Sequence, residues 1–365
     1  MYDAVPSMHI VLATGIYPPE IGGPATYVRE LRRELQLRSA AVTVIAYGVS
    51  PDAEEDDVVR ISRSGGPLVR WNRYAAALRR YGRDADIVYA FSSVSVGVPL
   101  WMARLRHPKT ILRLGGDFLW ERYTDRGGTK GLKDWYAAGP RFQGVMNGLL
   151  KQFQHIVFST AFEEEIYEKF YSVLPLHSVI ENAVPLGMPV LHRAHDPFRL
   201  LFLGRFVGFK NLGSLILALE EEPAMHLTLV GDGPLLQPLQ NIVHERSLAY
   251  RVTFLPAQGG DKKQQVFLDH DLLVLPSLTE ISPNVALEAR ASGMPVLLTQ
   301  ETGLSAALLD GAMLRPLRSP PEIAQALREA RDNYPTLAER SAGVLPERSW
   351  GKVAEEHLSL FRSFL

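Results

Sequence analysis

"TEISPNVALEARASGMPVLLT", residues 279 to 299, holds a loop, a helix, a turn and a strand in succession. Ser282 is placed to cap a helix and Pro283 suits its first turn, while Gly293 followed by Pro295 stops it, which predicts about ten helical residues. The apolar run Val296, Leu297, Leu298 then reads as a short buried strand, so the stretch is half of a repeating βα pattern. Two carboxylates bracket the helix start. Glu280 lies in the loop before it and Glu288 in its second turn. Singly, each reads as a solvated charge; as a pair beside a helix N-terminus they suit one ligand with vicinal hydroxyls, such as a ribose or a hexose.

The pattern continues on both sides. "RLLFLG", "HLTLVG", "RVTFLP" and "DLLVLP" precede the quoted strand, and "HIVLAT", "AVTVIAY", "DIVYAF", "TILRL" and "HIVFST" fill the first half, with helical periods between them. Two doubly wound α/β domains are expected, as 365 residues also imply. Pro185, Gly187, Pro189 and Pro197 crowd the stretch between the halves, which puts a first domain at 1–184, a linker at 185–198 and a second domain at 199–348. A last helix over 349–365 takes Ser349 as its N-cap.

Composition excludes several classes. Hydrophobic residues make up 46% and charged residues 22%, and no apolar run nears the roughly 18 residues that cross a bilayer. Residues 1–13 lack the pattern of a signal peptide and the chain has no cysteine, so a cytoplasmic setting is expected. A net charge of −1 argues against a globally basic nucleic-acid binder. Charge is uneven, however: Arg60 to Lys151 holds 17 Lys/Arg against 6 Asp/Glu. There Trp71, Tyr74, Leu78 and Tyr81 recur at helical spacing among Arg70, Arg73, Arg79, Arg80 and Arg83. Such a stripe either packs into the core, leaving solvated arginines, or meets an anionic membrane face.

Ligands of open α/β sheets bind beyond the carboxyl ends of strands, so the loops there carry the chemistry. "LGRFVGFKNL", residues 203–212, offers Arg205 and Lys210 to an anion. "PPEIGGPATYVREL" sets Gly22 and Gly23 before a helix with Pro24 at its start, either a structural turn or a place where a phosphate approaches backbone N–H groups. It matches neither the dinucleotide nor the P-loop glycine pattern. "GDGP" at 231–234 reads equally as a tight turn or as a wall beside a ligand. The D-x-D triplets at Asp84/Asp86 and Asp269/Asp271 precede strands, the wrong edge for a diphosphate-bound ion, so no metal is expected.

"E-ISPNVAL-E-ARASGMPV" resembles the E-x7-E signature of retaining glycosyltransferases of family 4, and "PPEIGGPATYV", "LGRFVGFKNL", "LVGDGPLLQPL" and "LVLPSLTE" resemble that family's other segments in the right order, so the likeness spans nearly the whole chain. The resemblance implies a GT-B fold: two Rossmann-like domains facing across a cleft, the first for the acceptor, the second for a nucleotide-sugar, and a final helix returning to the first. It implies that Arg205 and Lys210 bind the donor diphosphate, with Gly23, beside Gly22, offering a backbone N–H. Glu288 would hold the ribose hydroxyls and Glu280 a hydroxyl of the transferred sugar. Ile281, Ser282 and Pro283 would lend backbone amides, Gly231 would wall the nucleotide, and Pro256 and Ala257 would meet the base. Many relatives carry a histidine after the strand matching "TILRL"; this chain has "LRLGGDFLWER" instead. A subset shares "GD..WE", which makes Asp117 the candidate acceptor-side group, there to orient or deprotonate a hydroxyl, or only to cap the next helix.

The implied activity is transfer of a hexose, with retention and without metal or cofactor, from a uridine- or guanosine-diphosphate sugar to a saccharide or lipid-linked hydroxyl, in cell-surface polysaccharide or glycolipid synthesis. Peripheral contact with the inner membrane face is a further expectation, and no nucleic-acid partner is implied. The alternatives are a sugar-nucleotide epimerase of the same architecture and an inactive nucleotide-sugar-binding subunit.

Overall fold

A computed structural model of the chain describes residues 8–20, 22–48 and 57–365. Ile21 of the "PPEIGGPATYV" motif and residues 1–7 of the stretch weighed against a signal peptide lie outside them. The chain divides into two compact units: Met1–Phe118, Tyr136–Ala183 and Arg348–Leu365 form the first, Leu119–Trp135 and Val184–Glu347 the second.

Among the described residues the first unit carries seven strands: β1 His9–Thr14, β2 Ala41–Tyr47, β3 Val58–Ile61, β4 Ile87–Ala90, β5 Lys109–Leu114, β6 His155–Phe158 and β7 Leu176–Val179. They pair in the order β3-β2-β1-β4-β5-β6-β7. The second unit carries β8 Phe198–Arg205, β9 Met225–Asp232, β10 Val252–Leu255, β11 Leu272–Leu275, β12 Val296–Thr299 and β13 Met313–Arg315, ordered β10-β9-β8-β11-β12-β13. All pairings are parallel. Parallel strands are covered on both faces, which explains why β4, β6, β11 and β12 are buried throughout and read as nearly continuous apolar runs. Each sheet reverses its winding direction once, between β1 and β4 and between β8 and β11, and such a reversal opens a crevice at the strand ends.

Each unit has its own core. In the second, Leu200, Phe202, Leu229, Leu273 and Leu298 of the sheet meet Leu215, Leu287 and Leu327 of the covering helices. In the first, the helix Gly23–Leu37 packs Val28, Leu31 and Leu35 against the sheet. The final helix, Trp350–Arg362, joins it through Val353, Ala354, Leu358 and Phe361, and Ser349 caps it by accepting from the Lys352 N–H.

Several expectations need correction. Leu119–Trp135 packs with the second unit rather than with 1–184. The 185–198 stretch is no free linker: Val190 N donates to Ser292 O, and buried Asp271 accepts from the backbone N–H groups of His195 and Arg199. The helix expected to begin with a Ser282 cap runs Asn284–Ala291 with Pro283 at the N-cap position and no side-chain cap bond there. Pro283 has ψ 86, outside the helical region, so the first helical residue is Asn284. The helix end is as expected. Met294 N donates to Ala289 O and Gly293 N to Arg290 O, a paired closure with Gly293 at φ +86. A Cβ at Gly293 would also lie 2.1 Å from Val190 O, so glycine is demanded twice.

Candidate functional site

Arg205 is the last residue of β8, and Lys210 closes the short 3-10 turn Gly208–Lys210 that follows. Glu280 lies five residues past the end of β11. The reversal between β8 and β11 thus brings the two expected cations and the first carboxylate to neighbouring strand ends. Lys210 Nζ pairs with Glu280 Oε1 at 2.5 Å, with only 13% and 6% of the two side chains exposed. Ser277, buried, donates its hydroxyl to the same carboxylate oxygen. Glu280 is fixed through its backbone as well, donating to Glu301 O and accepting from Gly303 N, so the loops after β11 and β12 are stitched together. Leu278 N donates to Phe209 O and ties in the loop after β8.

The Leu119–Trp135 segment lies over these loops. Arg205 Nη2 is 3.5 Å from Glu121 Oε2, Asp125 Oδ1 accepts from Gly208 N, and the Trp120 and Phe209 rings are 5.3 Å apart. Further along, Leu132 N donates to Thr279 Oγ1 and Lys133 N to Glu301 Oε1. Thr279 Oγ1 itself donates to Glu301 Oε1.

Glu288 sits in the second turn of Asn284–Ala291, paired with Lys263 of the helix Gly260–Leu268. Ile281 and Pro283 are buried and Ser282 is half-buried, next to the held Glu280 backbone. Pro256 is exposed and Ala257 half-buried in the loop after β10. Gly231, near the end of β9, lies opposite Gly204 of β8, and a Cβ there would fall 1.9 Å from Gly204 O. Close approach of two strands therefore accounts for Gly231 without any ligand. The D-x-D aspartates are at the amino ends of strands: Asp86 Oδ2 accepts from His9 N, and Asp271 holds the backbone before β8.

In the first unit, Gly22 takes the N-cap position of Gly23–Leu37. A Cβ on Gly22 would meet Ile16, whereas one on Gly23 meets nothing within 4 Å. Packing within the chain therefore demands no glycine at position 23. Asp117 follows β5 and is 2% exposed. Its Oδ2 accepts from the hydroxyls of Tyr136 and Tyr167, the latter at 2.9 Å, and Tyr171 OH is 3.0 Å from Tyr136 OH. Beside this cluster lies Glu163, fully buried, with Oε2 accepting from Ser159 and no partner for Oε1 among the described residues. Burial, reinforced by the charge of Asp117, pushes the Glu163 carboxyl up to about 8. Burial raises the phenols of Tyr136 and Tyr167 well above their ordinary value.

Residues 22–182 match the glycosyl transferase 4-like domain, and residues 188–341 match the glycosyl transferases group 1 family. Between them the two models cover most of the chain, and its two halves resemble glycosyltransferase domains. Over 173 residues it is 32% identical to a D-inositol 3-phosphate glycosyltransferase of Mycobacteroides abscessus, a match covering 44% of this chain and 38% of that protein. It is 33% identical over 165 residues to the lipopolysaccharide core biosynthesis glycosyltransferase LpsD of Rhizobium meliloti, covering 44% of this chain and 47% of LpsD. The matched stretches thus span less than half of each of these two relatives. In fold, the chain resembles the sucrose-phosphate synthase of Thermosynechococcus elongatus, with a TM-score of 0.78 at 19% identity over 98% of both chains. Anabaena HepE, solved with UDP and glucose, gives 0.74 at 16% identity over 98% of this chain and all of that one. The architecture is that of the GT-B glycosyltransferases.

Sequence reasoning missed several residues of this candidate site. Ser277 lies inside the quoted "LVLPSLTE", but only the fold turns its hydroxyl onto Glu280. Lys263, Glu121 and the phenols around Asp117 have partners 19 to 84 residues away, beyond any local pattern. The aromatic stripe resolves toward the core: Tyr74 and Leu78 of the helix Pro67–Tyr81 are buried, and Trp71 and Tyr81 are half-buried. Arg73 donates to Ser64 O, Arg79 to Met102 O, and Arg80 lies over the Tyr81 ring. No helix among the described residues is long and apolar enough to cross a membrane.

Proposed function

We propose that the chain transfers a hexose, with retention of anomeric configuration and without a metal ion, from a uridine- or guanosine-diphosphate sugar to a hydroxyl of a saccharide or lipid-linked acceptor. The observation that carries this reading is the convergence of Arg205, Lys210 and Glu280 where the sheet reverses between β8 and β11. In the reaction, the bond from the sugar C1 to the diphosphate oxygen breaks and its electron pair stays on the diphosphate. The acceptor oxygen bonds to C1 on the same face, and its proton passes to the leaving oxygen. Negative charge grows on the diphosphate as the bond lengthens, and fixed cations stabilise that charge most at the transition state. Arg205 and Lys210 supply them, which is the role a metal ion takes elsewhere.

Both cations already face carboxylates, Lys210 that of Glu280 and Arg205 that of Glu121. A diphosphate replaces the carboxylate on Arg205 and adds a partner to Lys210, leaving Glu280 to accept from a sugar hydroxyl. Glu288 takes the ribose, and the loop at Pro256 and Ala257 takes the base. Gly23 is suited to a phosphate because its open Cβ position leaves room for one.

The test is release of nucleoside diphosphate from uridine- and guanosine-diphosphate hexoses, with and without saccharide and lipid-linked acceptors, followed by NMR of the product anomer. Acceptor-dependent release with the donor's anomeric configuration supports the reading. Acceptor-independent change of the sugar's configuration points to an epimerase, and tight donor binding without either reaction to an inactive binding subunit. Product with inverted configuration overturns the retaining assignment.

A further inference from the structure

The Glu288 carboxylate, the one assigned above to ribose, has its two oxygens in different circumstances. Oε2 is engaged by the ammonium of Lys263, one turn into the helix Gly260–Leu268, while Oε1 has no hydrogen-bond partner among the described residues. Both side chains are partly open, 23% for Lys263 and 31% for Glu288. They line a surface cavity of about 280 Å³ together with Gln264, Phe267 and Gly187. The wall is rigid on the Glu288 side, because a Cβ on Gly187 would meet Ala291 O at 2.1 Å, so that backbone packs directly on the end of the Glu288 helix. On the other side the Lys263 ammonium lies 6.0 Å from the centre of the Phe267 ring, which limits its swing.

A flexible glutamate beside a cavity loses rotamer freedom when a ligand captures it, and an interaction that already fixes it removes that loss. We propose that Lys263 is the specificity-determining partner of Glu288: by holding Oε2, it aims Oε1 into the cavity as an acceptor for ribose hydroxyls, so that the site separates ribonucleotides from 2′-deoxyribonucleotides. Lys263 is a positioning residue here, acting through Glu288. The inference rests on the ribose role of Glu288 and adds what sets its selectivity. Discrimination of this kind is large only where the acceptor is already in place, since a site committed to a hydroxyl leaves its own polar group unpaired when that hydroxyl is missing.

The experiment is isothermal calorimetry of uridine 5′-diphosphate and guanosine 5′-diphosphate, each with its 2′-deoxy counterpart, on the full chain as wild type, Lys263→Met and Lys263→Arg. For whichever base binds, the wild type is expected to favour the ribonucleotide by about tenfold or more, as for one charge-assisted hydrogen bond. Lys263→Met is expected to bring the ratio to within about twofold, and Lys263→Arg to restore most of it. Thermal melting of each variant confirms that the fold is intact, and a folding defect would lower both nucleotides alike without touching their ratio. A full wild-type ratio in Lys263→Met overturns the inference and leaves the donor reading standing. Equal binding of the two sugars by the wild type overturns it through Glu288. If the wild type binds no nucleoside diphosphate, the donor reading fails and this inference falls with it.

Discussion

At the ends of β8 and β11 the second unit sets opposite charges against each other, Lys210 on Glu280 and Arg205 on Glu121, whereas beyond β5 and β6 the first unit buries two carboxyls among phenols. The strand orders match, since both sheets are parallel and reverse once. What differs is the partner given to each carboxylate. An ammonium or guanidinium can be shared with an incoming anion, so the second unit's pairs are open to exchange. A phenol with its pKa raised by burial stays a neutral donor, so the hydroxyls around Asp117 keep their protons. One backbone plan thus yields an exchangeable charge site in one unit and a fixed polar core in the other.

The largest effect that would break this contrast is on turnover. Arg205→Ala combined with Lys210→Ala is expected to lower transfer by about a thousandfold or more, since even one lost donor to developing charge costs on the order of a hundredfold. Wild-type activity is expected to survive EDTA. Full, metal-reversible loss in the chelator would mean that the cations do not carry the leaving group.

Next comes the stability of the pair itself. Lys210→Met leaves Glu280 buried without its cation, which is expected to cost about 3–5 kcal/mol in urea unfolding, and adding Glu280→Gln recovers most of it without restoring turnover. A single variant as stable as the wild type would show that the pair is solvated rather than buried.

Asp117→Asn sharpens the other side of the comparison. If the carboxylate serves the acceptor, turnover falls by roughly tenfold or more while donor affinity holds. Unchanged turnover with a lowered melting temperature would make the cluster purely architectural.

The pH dependence of the first unit follows from its buried groups. Glu163 keeps its proton up to about 8 when folded but releases it near 4.5 when unfolded, so between those values the folded state binds more protons and stability falls as pH rises. Glu163→Gln is expected to flatten that limb and to be more stable than the wild type at pH 8. His357 has the opposite sign. Its Nδ1 donates to Val353 O and its Nε2 accepts from Tyr89 OH, and burial, with Arg113 nearby, lowers its pKa to about 3. An unfolded histidine takes a proton near 6.5, so stability falls as pH drops from there toward 3, and His357→Gln is expected to weaken that loss. Melting curves from pH 4 to 8.5 check both slopes.

The smallest effect tests the exchange directly. Glu121→Ala frees Arg205 from a half-exposed pair, and nucleoside diphosphate affinity is expected to rise by no more than about fivefold. A drop in affinity would mean that Glu121 orients Arg205 instead of competing for it.

Much of this was readable in the sequence, and the exceptions have a common cause. The central strands announced themselves as largely apolar runs, because burial on both faces leaves few polar positions. The strands passed over were β3, β7 and β13, all at sheet edges, whose sequences "VVRI", "LHSV" and "MLR" carry polar residues that an edge tolerates. Arg205, Lys210, Glu280 and Glu288 could be picked out as candidates because they lie close to strand ends and to a helix start that the sequence itself marks. Lys263, Glu121 and Tyr136 were not, because their roles come from contacts between distant segments. Ser282 misled because serine before proline looks like a cap, while the structure starts the helix one residue beyond.

The return of Trp350–Arg362 to the first unit bears on how the chain is made. A ribosome delivers all of the second unit's strands before it delivers this helix, yet Tyr27, Val28, Leu31 and Leu35 share one apolar cluster with its Val353, Ala354, Leu358 and Phe361. At about 5–20 residues per second, the stretch from Val184 to Trp350 takes between roughly ten and thirty seconds to synthesise. Through that interval the earlier-made unit waits with part of its core uncovered, and at its end the second unit has every segment it needs. The first unit begun is thus completed by a helix made only after the whole of the second.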